Sequence, residues 1–227
     1  MYTRPDNFPP IVKNLIIINV LVFVGQLVLT GNPINLTEHI MLYPVQHPDF
    51  RPYQIATHMF AHSPNMFFHI LFNMFGLWMF GKILENVWGP KRFLFFYLAC
   101  GVGAALLHMG VNYFAWENME AAYAAGNIEA AQEYANGLGP ALGASGAVMG
   151  IFAAFAFLFP NTELYIMFIP FPIKAKWAVL GLAAFDLLGG VTSYGGSNIA
   201  HFAHLGGALT GFIIVLIWNK TGRKRFY

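Results

Sequence analysis

The sequence predicts an all-α polytopic membrane protein, and three observations lead there. Hydrophobic residues make up 57% of the 227 positions and charged residues only 10%, with a mean hydropathy of +0.56; soluble domains carry about 25% charged residues. Six stretches approach the roughly 20 apolar residues that a helix needs to cross a bilayer core: 11–29, 65–84, 93–113, 141–159, 173–188 and 198–218. The basic residues sort with those stretches. Arg4 and Lys13 precede the first; Lys82, Lys91 and Arg92 follow the second; Lys174 and Lys176 precede the fifth; Lys220, Arg223, Lys224 and Arg225 follow the sixth. With six spans all of these fall on one face, leaving Arg51 alone of the 12 Lys and Arg residues on the other. The loop between the third and fourth spans holds Glu117, Glu120, Glu129 and Glu133 and no Lys or Arg. The positive-inside rule then places both termini in the cytoplasm.

Taken in order, the chain reads as a single membrane domain, 1–227, with a short N-terminal tail, 1–13, and a basic C-terminal tail, 219–227. No small-residue cleavage site follows the first apolar run, so no cleaved signal peptide is expected. The net charge of +2 gives no reason to expect a nucleic-acid partner, and the lone Cys100 has no intrachain disulfide partner. The connection 30–64 is long, aromatic and rich in histidine (His39, His47, His58, His62), a length at which loops are often functional. The insertion 119–135 is alanine-rich with interspersed glutamates and broken at Gly126-Asn127, which predicts two short surface helices and no chemistry. Pro170 and Pro172 delay the start of the fifth span. The Gly- and Ser-rich stretch 189–197 suits a mobile gate, with a plain flexible turn as the other reading.

Two short motifs carry chemistry. Gly143-Ala144-Ser145-Gly146 sits at the external start of the fourth span, where unpaired helix N-terminal amides point toward incoming negative charge. By itself Gly-x-Ser-Gly reads first as helix packing, because small residues let membrane helices approach. His204 changes that reading. Gly207 and Gly211 lie three and seven residues beyond it, on one face, while Gly146 and Gly150 form a second small-xxx-small pair below Ser145. If those faces meet, a hydroxyl and an imidazole come within hydrogen-bond reach on the external side, as an activated nucleophile requires. His69 and Asn73, four apart in the second span, offer two further donors on one face; interhelical hydrogen bonding is their alternative use.

These residues resemble the rhomboid family of intramembrane serine proteases, specifically its six-span bacterial type. Gly143-Ala144-Ser145-Gly146 is similar to the family's Gly-x-Ser-Gly, Ala203-His204 through Gly207 and Gly211 to its Ala-His-x-x-Gly-x-x-x-Gly, and His69-Ile-Leu-Phe-Asn73 to its His-x-x-x-Asn. The resemblance implies a six-transmembrane-helix rhomboid bundle in a bacterial cytoplasmic (inner) membrane. It implies Ser145 as nucleophile, His204 as general base of a dyad without a carboxylate, and an oxyanion hole formed by His69, Asn73 and the Ser145 amide. Gly143, Gly146, Gly150, Gly207 and Gly211 would serve the nucleophile motif and close packing. The substrates implied are transmembrane segments of other proteins, with no cofactor and no metal. Where the family's first external loop carries Trp-Arg, the corresponding place here is read as Phe50-Arg51, and Met149 stands where some members have an aromatic four residues after the serine. Glu85 and Gly89 also resemble family positions and read as structural.

His201 is a competing base, three residues before His204, but only His204 has glycines at the matching offsets. Asp186, near the external end of the fifth span, reads as solvated or locally hydrogen-bonded and outside the site. A metal enzyme built on His58/His62 and His201/His204 lacks an accompanying carboxylate and a His-Glu-x-x-His motif. A catalytically silent rhomboid-like protein that binds membrane proteins is the other alternative, although such relatives lose the serine or histidine retained here.

Overall fold

Six helices stand at the positions of the six apolar stretches, in a computed structural model that describes residues 5–31, 34–165, 170–192 and 201–221. Arg4 and the basic residues 223–225 of the tails, 193–197 of the expected gate and 198–200 of the expected sixth span lie outside the described residues.

Pro10 opens α1 (Pro10–Val28), where a missing N–H leaves nothing unpaired. The next two amides, those of Ile11 and Val12, donate to the two carboxylate oxygens of Glu85 at 2.9 and 2.8 Å. A carboxylate only 2% exposed is thereby satisfied by the positive end of a neighbouring helix. At the other end of α1, buried Gln26 donates to the carbonyl of His62 and accepts from its amide. The connecting segment carries two short helices, α2 (Leu36–Ile40) and α3 (Gln54–Thr57), and a 3-10 turn at His58–Phe60.

The second apolar stretch is a continuous helical run, Phe67–Trp88. It comprises α4 (Phe67–Gly76), a π turn (Leu77–Gly81) and α5 (Lys82–Trp88). Gly89, at φ 81°, turns the chain into α6 (Pro90–Ala124), whose 35 residues extend well past the expected third span. The first of the two surface helices expected in 119–135 is therefore the end of α6; the second is α7 (Ile128–Gly137), capped by the Asn127 side chain. The bundle is completed by α8 (Ser145–Leu158), α9 (Ala175–Thr192) and α10 (His201–Thr221).

Pro10–Val28, Phe67–Trp88, Pro90–Ala124 and His201–Thr221 are long and apolar enough to cross a membrane. Of the other two expected spans, α8 has 14 residues, about 21 Å at 1.5 Å per residue. It is shorter than 141–159 because the chain before Ser145 is used differently. Ala141 exchanges both backbone hydrogen bonds with Leu42 at 2.8 Å, and Gly143 takes φ 124°. Residues 189–192, expected in a loop, continue α9. The outer faces are apolar: Leu21, Val24, Phe72, Phe95, Leu106 and Phe212 are all exposed, as a bundle surrounded by hydrocarbon requires.

Glycine brings α6, α8 and α10 together. A Cβ on Gly207 would collide with the Gly146 carbonyl, and one on Gly211 would lie 2.6 Å from the Gly150 oxygen. On the α6 side, a Cβ on Gly206 would lie 2.7 Å from the Gly103 oxygen. The two glycine faces expected below Ser145 and His204 do meet, backbone against backbone.

Candidate active site

The starts of α8 and α10 lie side by side at one end of this seam. Ser145 is the first residue of α8 and His204 lies in the first turn of α10. The Ser145 Oγ stands 2.8 Å from His204 Nε2. The approach to the serine is built by the long connection after α1: the paired hydrogen bonds between Leu42 and Ala141 hold the chain just before Gly143, and the Gly143 N–H donates to the His58 carbonyl at 2.9 Å. Gly143 has a second constraint, since a Cβ there would lie 2.7 Å from His69 Nε2.

That contact places His69 beside the serine. The Ser63 N–H donates to His69 Nδ1 at 3.3 Å, so the proton of the neutral ring resides on Nε2, the nitrogen facing Gly143. Asn73, one turn further along α4, donates one amide N–H to the His69 carbonyl at 2.8 Å, leaving its second N–H for another acceptor. The structure thus gathers Ser145, His204, His69 and Gly143 around one point, with Gly146, Gly150, Gly207 and Gly211 as the seam beneath and Asn73 on the helix face that carries His69.

One residue of the constellation was not expected there. Asp186, on α9, is 4% exposed, and its Oδ1 accepts from His204 Nδ1 at 3.0 Å and from His201 Nδ1 at 2.9 Å. The expectations of a solvated or locally bonded Asp186, and of a histidine with no carboxylate, are both corrected. An acidic residue inside an apolar helix was the available signal. Its partners lie 15 and 18 residues away on another helix, and no spacing rule connects them. His201, weighed as a rival base, instead shares the carboxylate.

Arg51 makes its contacts within the first loop. Its guanidinium is exposed and bonds the nearby carbonyls of Pro48 and Phe50, whereas buried Gln54 accepts from the Arg51 amide and donates to the carbonyls of His39 and Asp49. Deeper in the same loop, His62 is fully buried, and burial, with the neighbouring His69 ring second, pushes it down to about 3. Burial also lowers His58. Among the described residues no cluster of three or more His, Cys, Asp or Glu side chains could hold a metal ion.

A rhomboid domain matches residues 49–220, which include every one of these side chains. The chain belongs to the rhomboid family. Among its relatives, Rhomboid protein 1, mitochondrial, of Saccharomyces cerevisiae is 29% identical over 73% of this chain and 42% of its own length. The presenilin-associated rhomboid-like protein, mitochondrial, of Homo sapiens is 33% identical over 67% of this chain and 36% of its own. RHOMBOID-like protein 12, mitochondrial, of Arabidopsis thaliana is 32% identical over 70% and 44%. The chain thus spans roughly two fifths of the length of the curated relatives it matches. These relatives correct the expected localisation: they are mitochondrial rhomboids by name, not proteins of a bacterial inner membrane. Hydropathy separates lipid from water, and it does not separate one bilayer from another.

Proposed function

We propose that this rhomboid is an intramembrane serine endopeptidase that cleaves transmembrane segments of other membrane proteins. The observation that carries the reading is the 2.8 Å contact between Ser145 Oγ and His204 Nε2. His204 Nε2 takes the hydroxyl proton as Oγ attacks the scissile carbonyl carbon, and the carbonyl π electrons move to oxygen. The Ser145 N–H, the His69 Nε2–H and the free Asn73 N–H donate to that oxyanion. The C–N bond then breaks as His204 passes its proton to the leaving amine, which leaves an ester on Ser145. Water, deprotonated by His204, releases the new carboxylate and restores the serine. No step calls for a metal or cofactor.

Six spans, with both termini on the basic face, fit this reading. With six spans traversed in chain order, Lys13, Lys82, Lys91, Arg92, Lys174, Lys176 and Lys220 fall on the face opposite Ser145. The site then opens toward the other face and draws its hydrolytic water from there. The rhomboid domain is one unit spanning the chain, the membrane is a mitochondrial one, as in the named relatives, and α9 moves to admit substrate laterally.

Co-reconstitution with a reporter transmembrane segment tests the activity. The liposomes should have a mitochondrial lipid composition. Cleavage by wild type and none by Ser145→Ala is the expected result. Equal turnover by Ser145→Ala, or a reporter bound but left intact by well-folded wild type, contradicts the proposal. Crosslinking α9 to α4 without loss of cleavage contradicts the lateral route alone.

A further inference from the structure

We infer that Asp186 is a positioning residue for His204, so that the site works as a carboxylate–histidine–serine relay and the orientation of the base depends on the seat of α9. The inference rests on the Ser145–His204 reading above.

Burial is the first observation. Of the described side chains of α9, only Ala175, at its first position, and Asp186 are buried; Leu180, Leu182, Phe185, Leu187 and Leu188 around it are exposed. A helix with so little core turns its one acid inward. A carboxylate in an apolar setting is tolerated when hydrogen bonds satisfy it, and here two imidazole N–H groups converge on a single oxygen.

The geometry then fixes the chemistry of the base. An ionised carboxylate only accepts, so the neutral His204 ring carries its proton on Nδ1. The lone pair is left on Nε2, the nitrogen 2.8 Å from Ser145 Oγ. The opposite tautomer would present an N–H to the serine and leave no acceptor for its proton. When Ser145 gives up its proton, the resulting imidazolium lies against the carboxylate, where opposite charges attract far more strongly than in water. Asp186 itself keeps no proton through the cycle. His201, on the same turn of α10, donates to the same oxygen and restrains the carboxylate's rotation. The base is therefore held from two helices, by its own backbone on α10 and by a side chain of α9.

Two measurements on the full chain in detergent test this. The first is the 15N spectrum of histidine-labelled wild type, with the His204 signals assigned by their loss in His204→Gln. A protonated Nδ1 and an unprotonated Nε2 are expected; a proton on Nε2 overturns the inference and depends on no Asp186 variant folding. The second compares fluorophosphonate labelling and reporter cleavage of wild type and Asp186→Asn. A fall in kcat and labelling rate of about 10²-fold, with KM and melting temperature unchanged, is expected. Wild-type rates in Asp186→Asn, with Ser145→Ala silent, overturn the inference and leave the protease reading standing. A wild type that never labels overturns both.

Discussion

α8 and α9 are neighbours built on opposite principles. Nearly every residue of α8 from Gly146 to Leu158 is buried, and its glycines let α10 approach until backbone meets backbone. α9 turns most of its side chains outward and contributes one carboxylate to the interior. The proposed nucleophile thus starts a helix that is almost wholly buried, while the group proposed to orient its base sits on one whose described side chains are mostly exposed. Rigidity where the reacting atoms must stay within hydrogen-bond reach, and looseness where a substrate must pass, is the division of labour this difference suggests.

The comparison breaks most severely at the seam. In Gly207→Val the new side chain collides with the Gly146 carbonyl, α8 and α10 separate, and Ser145 loses His204. Cleavage should drop by at least about 10²-fold, with unfolding about 3 kcal/mol easier, read by reporter turnover and thermal unfolding in detergent. Unchanged behaviour would mean that the seam does not hold the dyad.

Next in size is Asn73→Ala on α4. If Asn73 is the oxyanion donor proposed above, its loss lowers kcat by about 10²-fold with unchanged KM and melting temperature; a change confined to stability would make Asn73 a packing residue. Third is the pH axis of the first loop. His62 is held near 3 in the folded chain against about 6.5 when unfolded. The unfolded state therefore takes up a proton that the folded state refuses, and stability declines as pH falls from about 6.5 toward 3, by up to about 1.4 kcal/mol per unit. His62→Phe should flatten that decline in pH-dependent melting, and an unaltered slope would assign it to other groups. The smallest effect belongs to the outside of α9: Leu182→Ala, at a position 43% exposed, should shift stability by under about 0.5 kcal/mol. A large loss there would show that α9 is held as tightly as α8.

What could be read from the sequence follows the same division. The seam was legible because its geometry is local to each helix: Gly146 and Gly150, Gly207 and Gly211 repeat at four-residue spacing and so share faces. The pairing of Ser145 with His204 followed once both faces were assumed to meet. The placement of His69 and Asn73 on one face of α4 was legible on the same ground. Asp186 was not, because its role depends on the rotation of α9 against α10, which no spacing within either helix encodes. Nor was the short start of α8, since the Leu42–Ala141 pairing joins residues far apart in the chain. Gln54 escaped notice because an amide in a loop carries no charge to draw attention, whereas Arg51 did, and the Arg51 guanidinium bonds the nearby carbonyls of Pro48 and Phe50.

The proposed function requires that Ser145 and His204 form an assembled, reactive pair. Labelling by a fluorophosphonate in detergent tests it most directly, comparing wild type, Ser145→Ala and His204→Ala at matched folding. A labelled wild type and two silent variants are expected. Persistent labelling of Ser145→Ala, or undiminished labelling of His204→Ala, would contradict it.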